Sequence, residues 1–270
     1  MGGDRAQGAA PDLSYSMILL NGEFYEGSVL SDSILLGDGV FETLRSYEGK
    51  LFRLESHLNR LNLGLRAIEV PLSNHPRLDR MNITGEVARL MKLNELAAGA
   101  LRISAYADGN LIISHAPLRS PKESIRCMVL ESQLESFAFK SSSYSARLAH
   151  RRYAERAGVD DVILVNARRE VSELSTSNLI LFSEGRWITP QIVSGALPGV
   201  TRQALVEHFG IEERPVSLET LRNAESLAAI SSLREIQPIK EIDGKDTPIS
   251  NRLRQLQDSF HSWILGNLSQ

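Results

Sequence analysis

The chain is nearly without cysteine: Cys127 is the only one, lying between Arg126 and Met128 in an apolar run. One thiol excludes an internal disulfide and any cysteine-rich zinc site, and its setting reads as a small core residue. Histidine is sparse as well. The six are scattered with no HxH or HxxxH spacing, so a His-built centre has little support and no metal is expected. No window approaches the about 18 uninterrupted apolar residues of a membrane-spanning helix. Charge of neither sign dominates. Lys+Arg 30 against Asp+Glu 33 leaves a net charge of -3, which gives no global pull toward nucleic acid or anionic lipid. Glycine (19) and proline (10) are far from collagen-like numbers, and 42% apolar with 23% charged residues is the balance of a folded globular chain. Residues 1–16, MGGDRAQGAAPDLSYS, lack the basic region and apolar core of a secretory signal. They read as a flexible leader, with order expected from Met17 and the cytoplasm as the expected compartment.

What is present is a mixture of two periods. Residues 17–20 read as a short strand before the hairpin signal Asn21-Gly22. Residues 40–46 and 50–54 read as strands joined at Glu48-Gly49. Leu54, Leu58, Leu61, Leu65 and Ile68 then recur at three- and four-residue steps, which predicts a helix with one apolar face. A second helix is expected over 85–93, and a hairpin over 100–106 and 111–114. The stretch 115–123 (HAPLRSPKE) is polar with two prolines and reads as a linker. Beyond it, strands are expected at 124–131, 161–165, 178–182 and 227–231. Helices are expected at 144–157 (stopped by Gly158), 201–208, from Ser217, and at 252–265. Strands and helices do not alternate strictly, so the pattern predicts two α+β lobes rather than a doubly wound sheet.

Six lysines stand against 24 arginines, and five of the six lie at turns, on a helix, in the linker or in ordinary surroundings. Lys140 ends an apolar stretch and precedes three serines, in SFAFKSSSY. A partly desolvated lysine loses its charge readily and can act as a nucleophile or Schiff-base amine. From context alone the blander reading, a strand-edge lysine with its charge in water, is the stronger one. Residues 197–202 (LPGVTR) place Gly199 before Val200 and Thr201 at a helix start, where free N–H groups and a hydroxyl suit a phosphate; an ordinary capped helix explains them equally. Glu173 lies among hydroxyls in VSELSTSN. Arg60 lies in HLNRL, and its guanidinium fork suits phosphate, although an arginine there commonly faces solvent. Ser231-Ser232 ends a strand.

Taken together these segments resemble the class IV pyridoxal-phosphate aminotransferases, a family of branched-chain aminotransferases, D-amino acid transaminases and aminodeoxychorismate lyases. The likeness covers nearly all of the chain after Met17. It runs through LNGEF, GDGVFETLR (37–45), HLNRL (57–61), Lys140, VSELSTSNLILF, TPQIVSGALPGVTR and EIQPIKEIDGK. The resemblance implies the two-lobed α+β fold type IV. Its small N-terminal domain would span 17–116, its linker 117–124, and its larger domain, built on a β-barrel-like sheet, 125–270. It implies pyridoxal 5'-phosphate as cofactor and Lys140 as the Schiff-base lysine that later moves the substrate α-proton. Tyr144 would reach the cofactor's phenolic oxygen, and Glu173 would face its pyridine nitrogen. Arg60, Gly199, the Val200 and Thr201 amides with the Thr201 hydroxyl, and Ser232 would cradle the phosphate. Phe41 and Arg102 become pocket or carboxylate contacts. The implied activity moves an amino group between an amino acid, branched-chain substrates among the candidates, and a 2-oxo acid. The alternative on the same scaffold is an aminodeoxychorismate lyase releasing pyruvate and 4-aminobenzoate. A homodimer is implied, with no nucleic acid or membrane partner.

The sequence departs from the family in places. Ser143 stands where Asn often precedes the tyrosine. Leu233-Arg234 stands where many members carry small residues, so a narrower or more cationic substrate side is expected. ALRISAYADG lacks both the Arg-Pro and the Thr-Arg-Gly steps of the subfamilies, which leaves the substrate open.

Overall fold

The first lobe of the computed structural model, which describes residues 17–20, 23–26, 31–94, 96–118, 120–132 and 139–269, follows the period changes in the sequence. Strands β1 (Met17–Leu20) and β2 (Glu23–Glu26) pair antiparallel; the Asn21-Gly22 turn expected between them lies outside the described residues. A short helix not expected from the sequence, α1 (Asp32–Leu36), is capped by Ser31 and stopped by Gly37 at φ +69°. Next come β3 (Gly39–Tyr47), β4 (Lys50–Phe52), helices α2 (Leu54–Ala67) and α3 (Arg80–Asn94), and the hairpin β5 (Ala98–Tyr106) and β6 (Leu111–Pro117). Leu54, Leu58, Leu61 and Leu65 of α2 pack on Val40, Leu44, Leu101 and Ile103 of the sheet. Helix α3 begins at Arg80 rather than at 85. Ile83, Val87 and Met91 are all buried, so the apolar face starts a turn earlier than expected.

The linker reading needs correction at its start. Residues 115–117 are strand, with Leu101 opposite His115 and Gly99 opposite Pro117. Strand β6 is an edge of its sheet, and Pro117 is its last residue. A proline there removes no ladder hydrogen bond that a neighbour needs.

The second lobe carries β7 (Ile125–Glu131), α4 (Ser145–Arg156), β8 (Asp161–Val165), β9 (Val171–Leu174), β10 (Asn178–Ser183) and β11 (Arg186–Pro190). It continues with α5 (Val200–Phe209), β12 (Glu212–Arg214), α6 (Leu218–Arg222), β13 (Ser226–Ser231), β14 (Glu235–Ile242), β15 (Lys245–Asp246) and α7 (Asn251–Gly266). Its sheet has the order β12-β11-β10-β13-β14-β7-β8-β9, with β15 on β14, and curls as a half barrel. The α+β architecture expected from the sequence is therefore the observed one. Alternate residues face opposite sides. Leu179, Leu181, Leu227 and Ala229 fill one core, while Ile180, Ala228 and Ile230 face α5 and α7 in another. No helix of the described residues is long and apolar enough to cross a membrane.

The chain end returns to the first lobe, since β16 (Leu268–Ser269) pairs with β4. Phe52 of β4 meets Phe260 and Trp263 of α7 edge-on, at ring distances of 6.3 and 5.5 Å. Phe260 is fully buried in a cluster that also contains Tyr47 of β3 and Leu205 of α5. Truncating Phe260 to Ala is expected to cost about 3–5 kcal/mol, read from the denaturant midpoint of the purified protein.

Candidate active site

Lys140 reaches the interface of the lobes because its backbone is stitched to the start of β3. The Phe41 N–H donates to Lys140 O at 2.9 Å, and the Ser142 N–H donates to Gly39 O at 2.8 Å. Val40 and Ser141 form an antiparallel bridge. The half-buried amine is held down to a pKa of about 8, first by burial and then by repulsion from Arg60, against the attraction of Glu42 and Glu173. An amine so placed is neutral far more often near pH 7 than a solvated lysine.

At one side of the amine is a buried charge cluster. Arg60 donates Nε and Nη2 to the two oxygens of Glu42 at 2.6 and 2.8 Å, and Nη1 to Pro198 O at 2.7 Å. Glu42 also accepts from His57 Nδ1 at 2.7 Å, and His57 Nε2 lies 3.1 Å from Ser232 Oγ. A carboxylate only accepts, so the Nδ1 proton belongs to this bond, and Nε2 of the neutral ring accepts from the Ser232 hydroxyl. Burial raises the Glu42 pKa, but the charge and hydrogen bonds of Arg60, with those of His57, outweigh it and bring the value to about 2. Pro198 leads into Gly199 and α5. No side chain caps that helix, so its first N–H groups are available to an anion. Thr201 is buried beside them. Gly199 is needed for packing, because a Cβ there would lie 1.9 Å from Asn178 Oδ1.

Glu173 is the acidic pole of the cavity lining. Oε1 accepts from Arg147 Nη1 at 2.6 Å, and Oε2 accepts from Asn178 Nδ2 and the Leu197 N–H, each at 3.1 Å. Asn178 also donates to Leu197 O at 2.8 Å, so it ties the acidic pole to the loop that carries Gly199. Phe41 and Tyr144 meet edge to face at 5.1 Å. The Arg102 guanidinium lies 3.6 Å over the Phe41 ring and donates Nε to Ser104 Oγ at 3.0 Å.

All ten residues singled out in the sequence line one cavity of about 660 Å³: Phe41, Arg60, Arg102, Lys140, Tyr144, Glu173, Gly199, Val200, Thr201 and Ser232. Leu233 and Arg234 join them. The Arg60 fork, expected to face a phosphate, is largely engaged by Glu42. Three participants were missed. Glu42 and His57 stood inside quoted motifs without a role, although i,i+3 spacing puts His57 and Arg60 on one helix face. Arg147 was absorbed into a polar helix. Its place one turn after Tyr144, and so on the same face, was the signal available.

The family model for amino-transferase class IV matches residues 39–242, and the chain belongs to that family. An aminodeoxychorismate lyase from Bacillus subtilis (strain 168) is 28% identical over 84% of this chain and 87% of its own. A D-alanine aminotransferase from Staphylococcus haemolyticus is 24% identical over 92% and 97%. The branched-chain aminotransferase of Thermoproteus uzoniensis, solved with norvaline, superposes with a TM-score of 0.78 over 95% of this chain and 99% of that one at 23% identity; this likeness carries the fold. The chain is a pyridoxal-phosphate-dependent aminotransferase of this class. The residues present fit the group. An uncapped helix start with hydroxyls and a guanidinium, a buried carboxylate and a lysine amine all line the same cavity. The Ser177 hydroxyl, buried in the wall, has no hydrogen-bond partner among the described residues.

The Glu42 cluster predicts an acid sensitivity with a definite sign. A depressed carboxylate stabilises fully above its unfolded value near 4.5, and that contribution is lost as pH falls from there toward about 2. Melting curves across this window should fall more steeply for the wild type than for Glu42→Gln. At pH 7 the variant should be destabilised by about 3 kcal/mol or more, as one partner of a buried ionic group is removed.

Proposed function

We propose that this chain transfers an amino group from an amino acid, branched-chain substrates among the candidates, to a 2-oxo acid. The observation that supports it is a half-buried Lys140 amine with a pKa near 8, in one cavity with Glu173 and the uncapped start of α5. When bound, pyridoxal phosphate supplies an aldehyde for the substrate nitrogen and a sink for electrons released at Cα. Lys140 holds the group, then takes the proton from Cα and returns it on the other side of the transfer. Arg60, the Gly199–Thr201 helix start, the Thr201 hydroxyl and Ser232 hold the phosphate. Glu173 would face the ring nitrogen, and Tyr144 the phenolic oxygen. Phe41 forms a wall, and Arg102, stacked on it, takes a substrate carboxylate.

The same reading includes a cytoplasmic homodimer. The dimer is supported by Leu35 and Leu36, 53% and 75% exposed, next to Gly37, whose carbonyl accepts from Ser143 Oγ at the cavity. The cytoplasm is supported by the single free thiol, Cys127, buried in the sheet. A second reading is an aminodeoxychorismate lyase that releases pyruvate and 4-aminobenzoate. Arg102 and Arg234 on the cavity wall favour it, because that substrate carries two carboxylates.

Adding the cofactor to the purified protein should give the absorption of a lysine-bound form, absent from Lys140→Ala. The pH dependence of its capture should have its midpoint near 8, with faster capture above it, where the amine is neutral. A panel of L- and D-amino acids with 2-oxoglutarate or pyruvate then reads the transfer. Pyruvate released from aminodeoxychorismate without an acceptor would instead establish the lyase. Full activity in Lys140→Ala overturns both.

A further inference from the structure

Arg147 stands where helix electrostatics disfavour it. It is the third residue of α4, whose first turn carries no acidic side chain, and a cation there opposes the helix dipole. What it meets instead is Glu173, at 2.6 Å, with a weaker contact to Ser175 O at 3.4 Å. The carboxylate side chain is 4% exposed and the arginine 23%. Both line the cavity. The Asn178 amide and the Leu197 N–H occupy Oε2. Any further donor at this pole therefore has to share Oε1 with the guanidinium, and an ionised carboxylate oxygen has a lone pair for each.

We propose that Arg147 is a positioning residue that shares Glu173 with the cofactor's ring nitrogen and makes that nitrogen a weaker base than an unpaired carboxylate would. The inference rests on the cofactor reading above. Holding Oε1 fixes the carboxylate in orientation, while the guanidinium offsets the negative charge that would keep the ring protonated. Nearby charges act in the same field. The cation of Arg147 also bears on the Lys140 amine and on the Tyr144 phenol, with Arg60, Glu42, Asp161 and Arg102 as the other charges facing these two groups. One arginine thus tempers the electron-withdrawing strength of the ring and adds, behind burial, to the field on Lys140 and Tyr144.

The test is nitrogen-15 NMR of the protein reconstituted with ring-labelled pyridoxal phosphate and titrated with pH. In Arg147→Gln the ring nitrogen is expected to stay protonated to a pH about one unit or more higher than in the wild type, a tenfold change in the protonated ratio. Arg147→Lys should restore most of the wild-type curve, which a merely structural role would not do. Should Arg147→Gln unfold, Arg147→Met carries the same comparison, with melting curves to verify folding. Superimposable titrations of wild type and folded variant overturn the proposal. So does tighter cofactor binding with an unchanged titration, which would make the guanidinium a competitor for Glu173 instead. If the wild type forms no lysine-bound cofactor at all, the functional reading fails first. If the cofactor binds Lys140 and the titrations coincide, only the role of Arg147 fails.

Discussion

One buried carboxylate holds the two halves of the site in register. Glu42 is 1% exposed and grips both Arg60 and His57. An ionised group so deep is costly unless its partners are close and its lone pairs are used; here three short donors use them. The partners then act outward. Arg60 reaches the carbonyl of Pro198, and His57 reaches the hydroxyl of Ser232. Both targets belong to the second lobe, whereas Glu42, His57 and Arg60 belong to the first. The basic end of the cavity is thus assembled across the lobe boundary by a single charge cluster.

The second carboxylate is built differently. Glu173 is anchored by a strand residue, Asn178, and by a loop N–H, while its remaining contact comes from the long side chain of Arg147. One carboxylate is held by a closed network, and the other by a strand amide, a loop N–H and one long side chain. Lys140 feels both. Burial, then Arg60 and Arg147, lower its proton affinity, and Glu42 and Glu173 restore part of it. Its value near 8 is a balance among four named side chains and the solvent they exclude.

How much of this was legible in the sequence depends on the range of the interactions involved. The helix of Leu54, Leu58, Leu61 and Leu65 follows from spacing alone, and the stop at Gly158, where φ is positive, follows from its residue type. Strands β9, β11, β12 and β16 are two to five residues long, too short for a periodic signal, and they exist because the neighbouring strand completes their ladders. Lys140 stood out through its surroundings and through family likeness, not through any local rule. Arg147 had only its place one turn after Tyr144 to mark it, because a polar helix face does not show which of its arginines meets a carboxylate 26 residues on. Likewise the linker reading failed at His115, whose ring lies 2.8 Å from Ser46 Oγ within the sheet: proline marks a break only where a neighbouring strand needs its N–H.

A turn on the cavity wall is clamped by side chains of the first lobe. Between β13 and β14 the chain passes Ser232, Leu233 and Arg234 along the cavity and re-enters the sheet at Glu235, whose φ of +55° is unfavourable for a residue with a Cβ. Three side chains converge on that glutamate. Arg45 and the Tyr47 hydroxyl donate to Oε1 at 2.7 and 2.9 Å, and His261 lies 2.8 Å from Oε2. Two of these come from β3, the strand that also carries Phe41 and Glu42. The strained turn and the strand that bears the aromatic wall are therefore one mechanical unit. Leu233 and Arg234 therefore shape the cavity wall from a turn whose far end is held by the strand that carries Phe41.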